Sequence, residues 1–299
     1  MDPPLEQAWG RYRTWADTSR KLKAEMTTWE RRILVFTICG TFFGSFAPFA
    51  ADAWPSWLGA APMWWSSAQP AAAWLGAAFL ALATYFGKQW LTASEKQAWT
   101  KARAVAEAMK SESYKYATGA PPYDDPATRA DVLAEKITQS AKSMEGVIPV
   151  QVAAAAAVKG MPQPPWSLGD YVTQRLDDQV EKFYKPRITE HAAASRRARH
   201  WAMSLGALAT VISVSAAAAD ERSLVAAVLG TITTAGAALA SYFQAGRHFQ
   251  LALNYQAAAD QAGALKASPG ARANPAKFVN DVEAVFRAEH AAWLAEWTR

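Results

Sequence analysis

The sequence predicts an all-α membrane protein, with four transmembrane helices arranged as two tandem helical hairpins and extended by long cytoplasmic helices. Three observations carry this. The 299 residues are 51% apolar and 19% charged, yet charge is absent from four blocks, about 33–51, 70–87, 201–219 and 224–246. A core helix of a soluble protein keeps one wet face, and a bilayer core about 30 Å thick takes roughly 20 residues of helix. Basic residues flank one end of every block: Arg31 and Arg32, Lys88, the trio Arg196, Arg197 and Arg199, and Arg247. Finally, ALATYF at 81–86 returns as ALASYF at 238–243, ending an apolar block each time.

The first helix announces itself before the membrane. Leu5, Ala8, Tyr12, Trp15, Ser19, Leu22, Met26, Trp29 and Ile33 recur at alternating steps of three and four. That is a heptad seam running into the first block, with Ser19 as its one break and Trp9 widening it. Within the block, Thr37, Thr41 and Ser45 repeat every fourth residue. They are pore-lining candidates, although such hydroxyls also bond back to the carbonyl one turn earlier. Gly40 and Gly44 beside them have the GxxxG spacing that lets two helices approach closely.

The connection 52–70 has no Lys or Arg and carries Trp54, Trp57, Trp64 and Trp65. Indoles favour the headgroup level, so these four are outer-interface anchors; an aromatic ligand cage is the alternative. Gln69 and Pro70 mark the start of the second block. Lys88–Tyr116 is expected to continue it as one long helix, stopped by Gly119-Ala120-Pro121-Pro122. YDDP at 123–126 then opens a helix with Asp near its N-terminus, and Asp131–Met144 forms a short one. Val147–Val158 is too short to span a bilayer, and MPQPP at 161–165 marks a boundary.

The expected organisation is a first unit at 1–145, a Pro/Ala-rich linker at 146–167 and a second unit at 168–299. The second unit repeats the order. An approach helix over Leu168–Arg199 has Leu176, Val180, Phe183 and Ile188 inward, and Pro186 should bend it. After the fourth crossing, Arg247–Leu265 mirrors Lys88–Tyr116. Phe278–Trp297 closes the chain with Phe278, Val282, Val285, Phe286, Trp293 and Leu294 inward.

The flanking charges set the topology. By the positive-inside rule all four basic ends, and both termini, are cytoplasmic, which fits a bacterial inner membrane. The net charge of +5 is then a topology signal, and no nucleic-acid partner is expected. MDPPLEQAWGRYR lacks the basic and apolar regions of a secretory signal peptide. Cys39 has no cysteine to pair with. His191, His200, His248 and His290 show no metal spacing. No phosphate loop, nucleophile elbow or zinc helix is present in the sequence, so neither an enzyme nor a cofactor is expected. The four blocks hold no ionisable residue other than Cys39 and tyrosine, which argues against a proton-coupled transporter.

The helices outside the blocks also carry a family likeness. WTKARAVAEAMKSESYKYATGAPPY at 99–123 resembles a stretch of the SLATT family, the SMODS- and SLOG-associating two-transmembrane effector domains. The matching residues are Trp99, Arg103, Glu107, Lys110, Tyr114, Tyr116 and Pro121-Pro122-Tyr123. YVTQRLDDQVEKFY (171–184), LNYQAAADQAGAL (253–265) and FVNDVEAVFRAEHAAWLAEW (278–297) resemble a related subtype, so the likeness amounts to two tandem copies. Pro186 departs from it, where the family pattern suits an unbroken helix. The resemblance implies a membrane effector of prokaryotic conflict or anti-phage systems, a homo-oligomer that perforates the inner membrane. It also implies a separate nucleotide- or ligand-sensing protein as partner. A non-conducting membrane scaffold whose cytoplasmic helices recruit partners is the reading from a different class.

Overall fold

In the computed structural model, residues 2–47, 62, 67–219 and 222–298 are described. All regular structure among them is helical. The first helix, α1 (Pro3–Phe46), starts at a proline, whose missing N–H costs nothing in a first turn. It runs unbroken through the predicted seam. Leu5, Ala8, Trp15 and Met26 are buried along it, as are Trp9 and Thr18, while Tyr12, Leu22 and Trp29 are half-buried.

Helix α2 (Ala68–Trp90) follows, then α3 (Ala93–Thr118). The expected single helix through Lys88–Tyr116 is therefore two, parted at Leu91, whose N–H reaches back to the Gly87 carbonyl. The exit from α8 (Arg222–Ala245) into α9 (His248–Ala267) breaks in the corresponding place, where Arg247 takes a φ of 46°. Helix α3 ends at Gly119, φ 65°. There the Ala120 N–H bonds the Lys115 carbonyl and the Gly119 N–H bonds that of Tyr116, a Schellman motif that needs a left-handed residue.

After α4 (Arg129–Ser143), residues 147–167 hold only one helical turn, α5 (Ala154–Ala157). This segment lies as a strap on the helices. The Val150 N–H donates to the Thr18 hydroxyl at 2.9 Å, the Trp9 indole to the Lys159 carbonyl at 3.2 Å, and the Trp166 N–H to the Ala117 carbonyl at 3.0 Å.

Ser167 and Asp170 form a capping box that starts α6 (Leu168–Tyr171). The helix then winds wide from Val172 to Tyr184 and tightens into α7 (Lys185–Ala219). The Lys185 N–H still reaches the carbonyl five residues back, at Val180. Pro186 sits just where the wide turns end, and its missing N–H falls in that transition rather than at a stop. The wide winding changes the inner face: Arg175, Leu176, Gln179 and Tyr184 are buried, whereas Val180, Phe183 and Ile188 are only half-buried. Steps of four and five fit wide turns better than the 3.6 period assumed from sequence. Two more helices, α10 (Gly270–Ala273) and α11 (Pro275–Thr298), complete the chain.

Folding does not divide the chain at the strap. A helical body is built from Met1–Ala24, Ala93–Ala192 and Phe249–Arg299, and a hairpin unit from Glu25–Thr92 and Ala193–His248. Each draws on both halves of the sequence. In the body, α11 packs on α3, with Trp99 edge-on to Trp293 at 5.1 Å and to Trp297 at 4.8 Å. On α11, Phe278, Val279, Val282, Phe286 and Trp293 are buried.

Among the described residues, one helix is long and apolar enough to cross a membrane, Pro70–Trp90. The other three expected spans are not confirmed among the described residues. The block 33–51 runs past the described residues. The blocks in α7 and α8 meet across 215–227, whose side chains lie outside the description. The anchors Trp54, Trp57, Trp64 and Trp65 lie outside it as well.

Candidate functional site

In the hairpin unit, α1 and α2 meet through glycine. A Cβ on Gly76 would lie 2.7 Å from the Gly44 backbone nitrogen and 2.9 Å from its Cα. One on Gly40 would lie 2.8 Å from the Leu80 side chain. A Cβ on Gly44 itself would meet nothing within 4 Å. Gly44 therefore contributes its backbone as the surface on which Gly76 sits, and Gly76 is the contact that the GxxxG reading missed. Phe36, Phe43, Phe79 and Phe86 stack along the same seam at ring distances of 5.9 to 6.1 Å. Trp29 stacks on Phe86 and Trp90 at its base.

The hydroxyl stripe behaves as a helix stripe. Thr37 donates to the Ile33 carbonyl at 2.9 Å and Thr41 to the Thr37 carbonyl at 2.8 Å; Ser45 is half-buried. Outward, α2 exposes Trp74, Leu75, Leu80, Leu82 and Tyr85, with Trp74 77% exposed. Helix α7 exposes Trp201, Met203, Leu208, Val211 and Val214. Large apolar side chains left open over several turns are what a lipid-facing helix presents.

The body holds a buried polar cluster contributed by α3, the wide-wound helix, α9 and α11. Arg175 and Glu283, 2% and 0% exposed, form a bidentate pair at 2.8 and 2.9 Å. The Tyr171 hydroxyl donates to the same carboxylate at 3.0 Å. Arg175 and Lys110 both donate to Gln179 Oε1 at 3.1 Å. Burial raises the Glu283 carboxyl, but the Arg175 charge and its hydrogen bonds outweigh this and hold it below the ordinary value. Burial, then the neighbouring Arg175, push Lys110 down to about 8.

Nearly two helical turns further along α11 the balance reverses. Glu289 receives a single long hydrogen bond, from the Tyr184 hydroxyl at 3.4 Å, and its Oε1 has no partner. Burial first, opposed by Arg103 and aided by Glu107, pushes its carboxyl up to about 7. His290 stacks on Trp293 at 5.5 Å with neither ring nitrogen bonded. Burial and then the Arg103 charge push it down to about 4, so it is neutral at physiological pH. Arg103 itself lies over the Trp293 ring at 3.9 Å and donates to the Tyr255 hydroxyl at 3.4 Å.

Trp99, Arg103, Glu107, Lys110, Tyr114, Tyr116 and Tyr123, the residues that carry the family likeness, all lie in the helical body. Trp99, Tyr114, Tyr116 and Tyr123 are buried in it. The Tyr123 hydroxyl donates to Glu112 at 2.6 Å, and that of Tyr116 to Asp2 at 2.9 Å. Arg175, Glu283 and Glu289 were not singled out from the sequence. Their signal was available: Glu283 falls on the stripe Val279, Val282, Phe286, Trp293 at helical spacing. Among the described residues, no group of three or more His, Cys, Asp and Glu is assembled to hold a metal ion.

No curated protein and no solved structure matches the chain. Two families do. Residues 12–131 match a protein family of unknown function, DUF4231. The halves thus match two different families, and two copies of one family are not supported. Residues 171–293, from Tyr171 of the buried cluster to Trp293, match the SMODS and SLOG-associating 2TM effector domain 1, which supports a SLATT-family assignment for that part of the chain.

Proposed function

We propose that this protein is a membrane effector whose two hairpins enter the bilayer as four spans, with both termini and the helical body on the cytoplasmic side. Several copies together form an ion-conducting or permeabilising path, since four spans alone enclose no useful aqueous channel. The observation that carries the reading is the match of residues 171–293 to a two-transmembrane effector domain. The open apolar faces of α2 and α7 support it. The body acts as the regulatory part, and a separate nucleotide- or ligand-sensing protein is its expected partner. No catalytic step is assigned.

A second reading, a non-conducting scaffold that recruits partners through its body, is favoured by one observation. Thr37 and Thr41 give their hydroxyl protons to their own helix, which leaves the stripe less able to donate to a permeating species. Dye and ion release from vesicles reconstituted with the purified chain, with its mass in detergent, separates the two. Release together with an oligomeric mass supports the effector. A strict monomer that releases nothing leaves the scaffold.

A further inference from the structure

Along the helix that enters the second hairpin, the cations divide into two sets. Upstream, each has a carboxylate one turn away: Lys182 with Asp178 at 2.7 Å, Lys185 with Glu181 at 2.6 Å, and Arg187 with Glu190 at 2.7 Å. Downstream come Arg196, Arg197, Arg199 and His200, all exposed, and from His191 to Ala219 the sequence has no acidic residue. At about 100° per residue these four cover an arc of roughly 160°. The helix packs on its other side, where Ala194 is buried and Ala198 half-buried. Trp201 follows at once, 54% exposed, and then Met203, 66% exposed. The first hairpin is built differently. Arg32 there lies over the Trp29 ring at 4.7 Å, and Trp29 is itself stacked on Trp90.

We infer that Arg196, Arg197 and Arg199, with Trp201 above them, form a binding surface for the headgroups of anionic phospholipids. The chemistry fits that occupant. Guanidinium groups pair with phosphate oxygens in a fork geometry that an ammonium group cannot match. An indole one step further settles at the glycerol level, half desolvated. The inference rests on the membrane reading above and adds a lipid preference to it.

The test uses the full chain reconstituted in phosphatidylcholine vesicles containing about a third phosphatidylglycerol, a mixture chosen to approach anionic-lipid surface potentials. The motionally restricted fractions of spin-labelled phosphatidylglycerol and phosphatidylcholine are compared. The expected result is a preference for phosphatidylglycerol of about fivefold or more, declining in high salt. The triple variant Arg196→Gln, Arg197→Gln, Arg199→Gln should lose it, and the triple Arg→Lys variant should keep part of it. The triple variant Lys182→Gln, Lys185→Gln, Arg187→Gln should keep it in full, because those cations have carboxylate partners.

Equal restriction of both lipids, or a preference that survives the arginine substitutions, overturns the inference and leaves the membrane reading standing. Displacement of the labelled lipid by soluble tripolyphosphate at the same phosphate concentration also overturns it, and would reassign the surface to soluble anions. A chain that does not float with the vesicles removes the membrane reading itself.

Discussion

Replacing Arg175 with Met should invert the pH dependence of stability contributed by Glu283. In the native body, Glu283 is fully buried and its carboxyl is held below the ordinary value of about 4.5. Its contribution is therefore present above that value and lost as pH falls through the depressed one. Without Arg175, the carboxylate keeps the Tyr171 hydroxyl at 3.0 Å, and the buried Lys110, itself pushed down to about 8, is the cation left near it. Burial then raises its pKa, so the group's contribution is present below about 4.5 and lost as pH rises. Taking up a proton is the cheaper alternative to staying charged. It costs about 1.4 kcal/mol for each pH unit above 4.5, roughly 3.4 kcal/mol at pH 7 and about 0.7 at pH 5. Breaking a buried pair by removing one partner costs about 3–5 kcal/mol in other proteins, which agrees. Urea unfolding of the full chain in mild detergent, from pH 5 to 8, measures the difference between Arg175→Met and the native chain. The deficit should shrink by about 2–3 kcal/mol between pH 7 and pH 5, by the same arithmetic. The double variant Arg175→Met, Glu283→Leu should recover most of it. A deficit of equal size at both pH values would refute the reasoning, because it would mean lost packing and not an abandoned charge.

Three further outcomes follow from the geometry. Gly76→Ala should destabilise the first hairpin by about 1–3 kcal/mol, since its Cβ meets backbone that has no side chain to move aside; Gly44→Ala should be tolerated, and denaturation midpoints in SDS compare the two. Glu289→Gln should leave the thermal midpoint unchanged near pH 4 and raise it at pH 8. The native carboxyl, raised to about 7, contributes stability that is full below about 4.5 and lost as pH rises through 7. His290→Leu should act at the other end: the imidazole is held down at about 4, so the native body loses stability as pH falls from about 6.5 towards 4, and the variant should not share that loss. Circular dichroism melts across pH 4–8 check both.

Helix positions were legible from the sequence where the signal was apolar spacing. The seam from Leu5 to Met26 and the inner face of α11 follow from steps of three and four, because a helix surface has that period and nothing else in the chain competes. The spacing failed over Val172–Tyr184. Leu176, Val180, Phe183 and Ile188 were aligned on a 3.6-residue period, and the helix there winds with carbonyl partners five residues back. No local residue type marks such winding. Pro186 stands at its end, and a proline one turn into a helix reads equally well as a bend. The breaks at Leu91 and Arg247 were missed for a related reason: neither carries the glycine-then-proline punctuation that stops a helix, and the corner is made by backbone geometry alone.

The polar cluster was missed for a different reason, which lies in how charge is read. Charged residues in a helical stretch are usually assigned to the wet face, and for most of this chain that is right: Lys182, Lys185 and Lys277 sit in exposed pairs one turn apart. Glu283 breaks the rule because it occupies a stripe position between Val279 and Phe286, and Arg175 does so beside Leu176. A carboxylate stays charged there only if a cation is buried opposite, so a charged one on a stripe calls for a second residue on another. The sequence contains both halves of that requirement, 108 positions apart. Their pairing ties α11 to the wide-wound helix, because a slip of one turn along α11 would carry Glu283 away from Arg175 and leave a buried carboxylate without its cation.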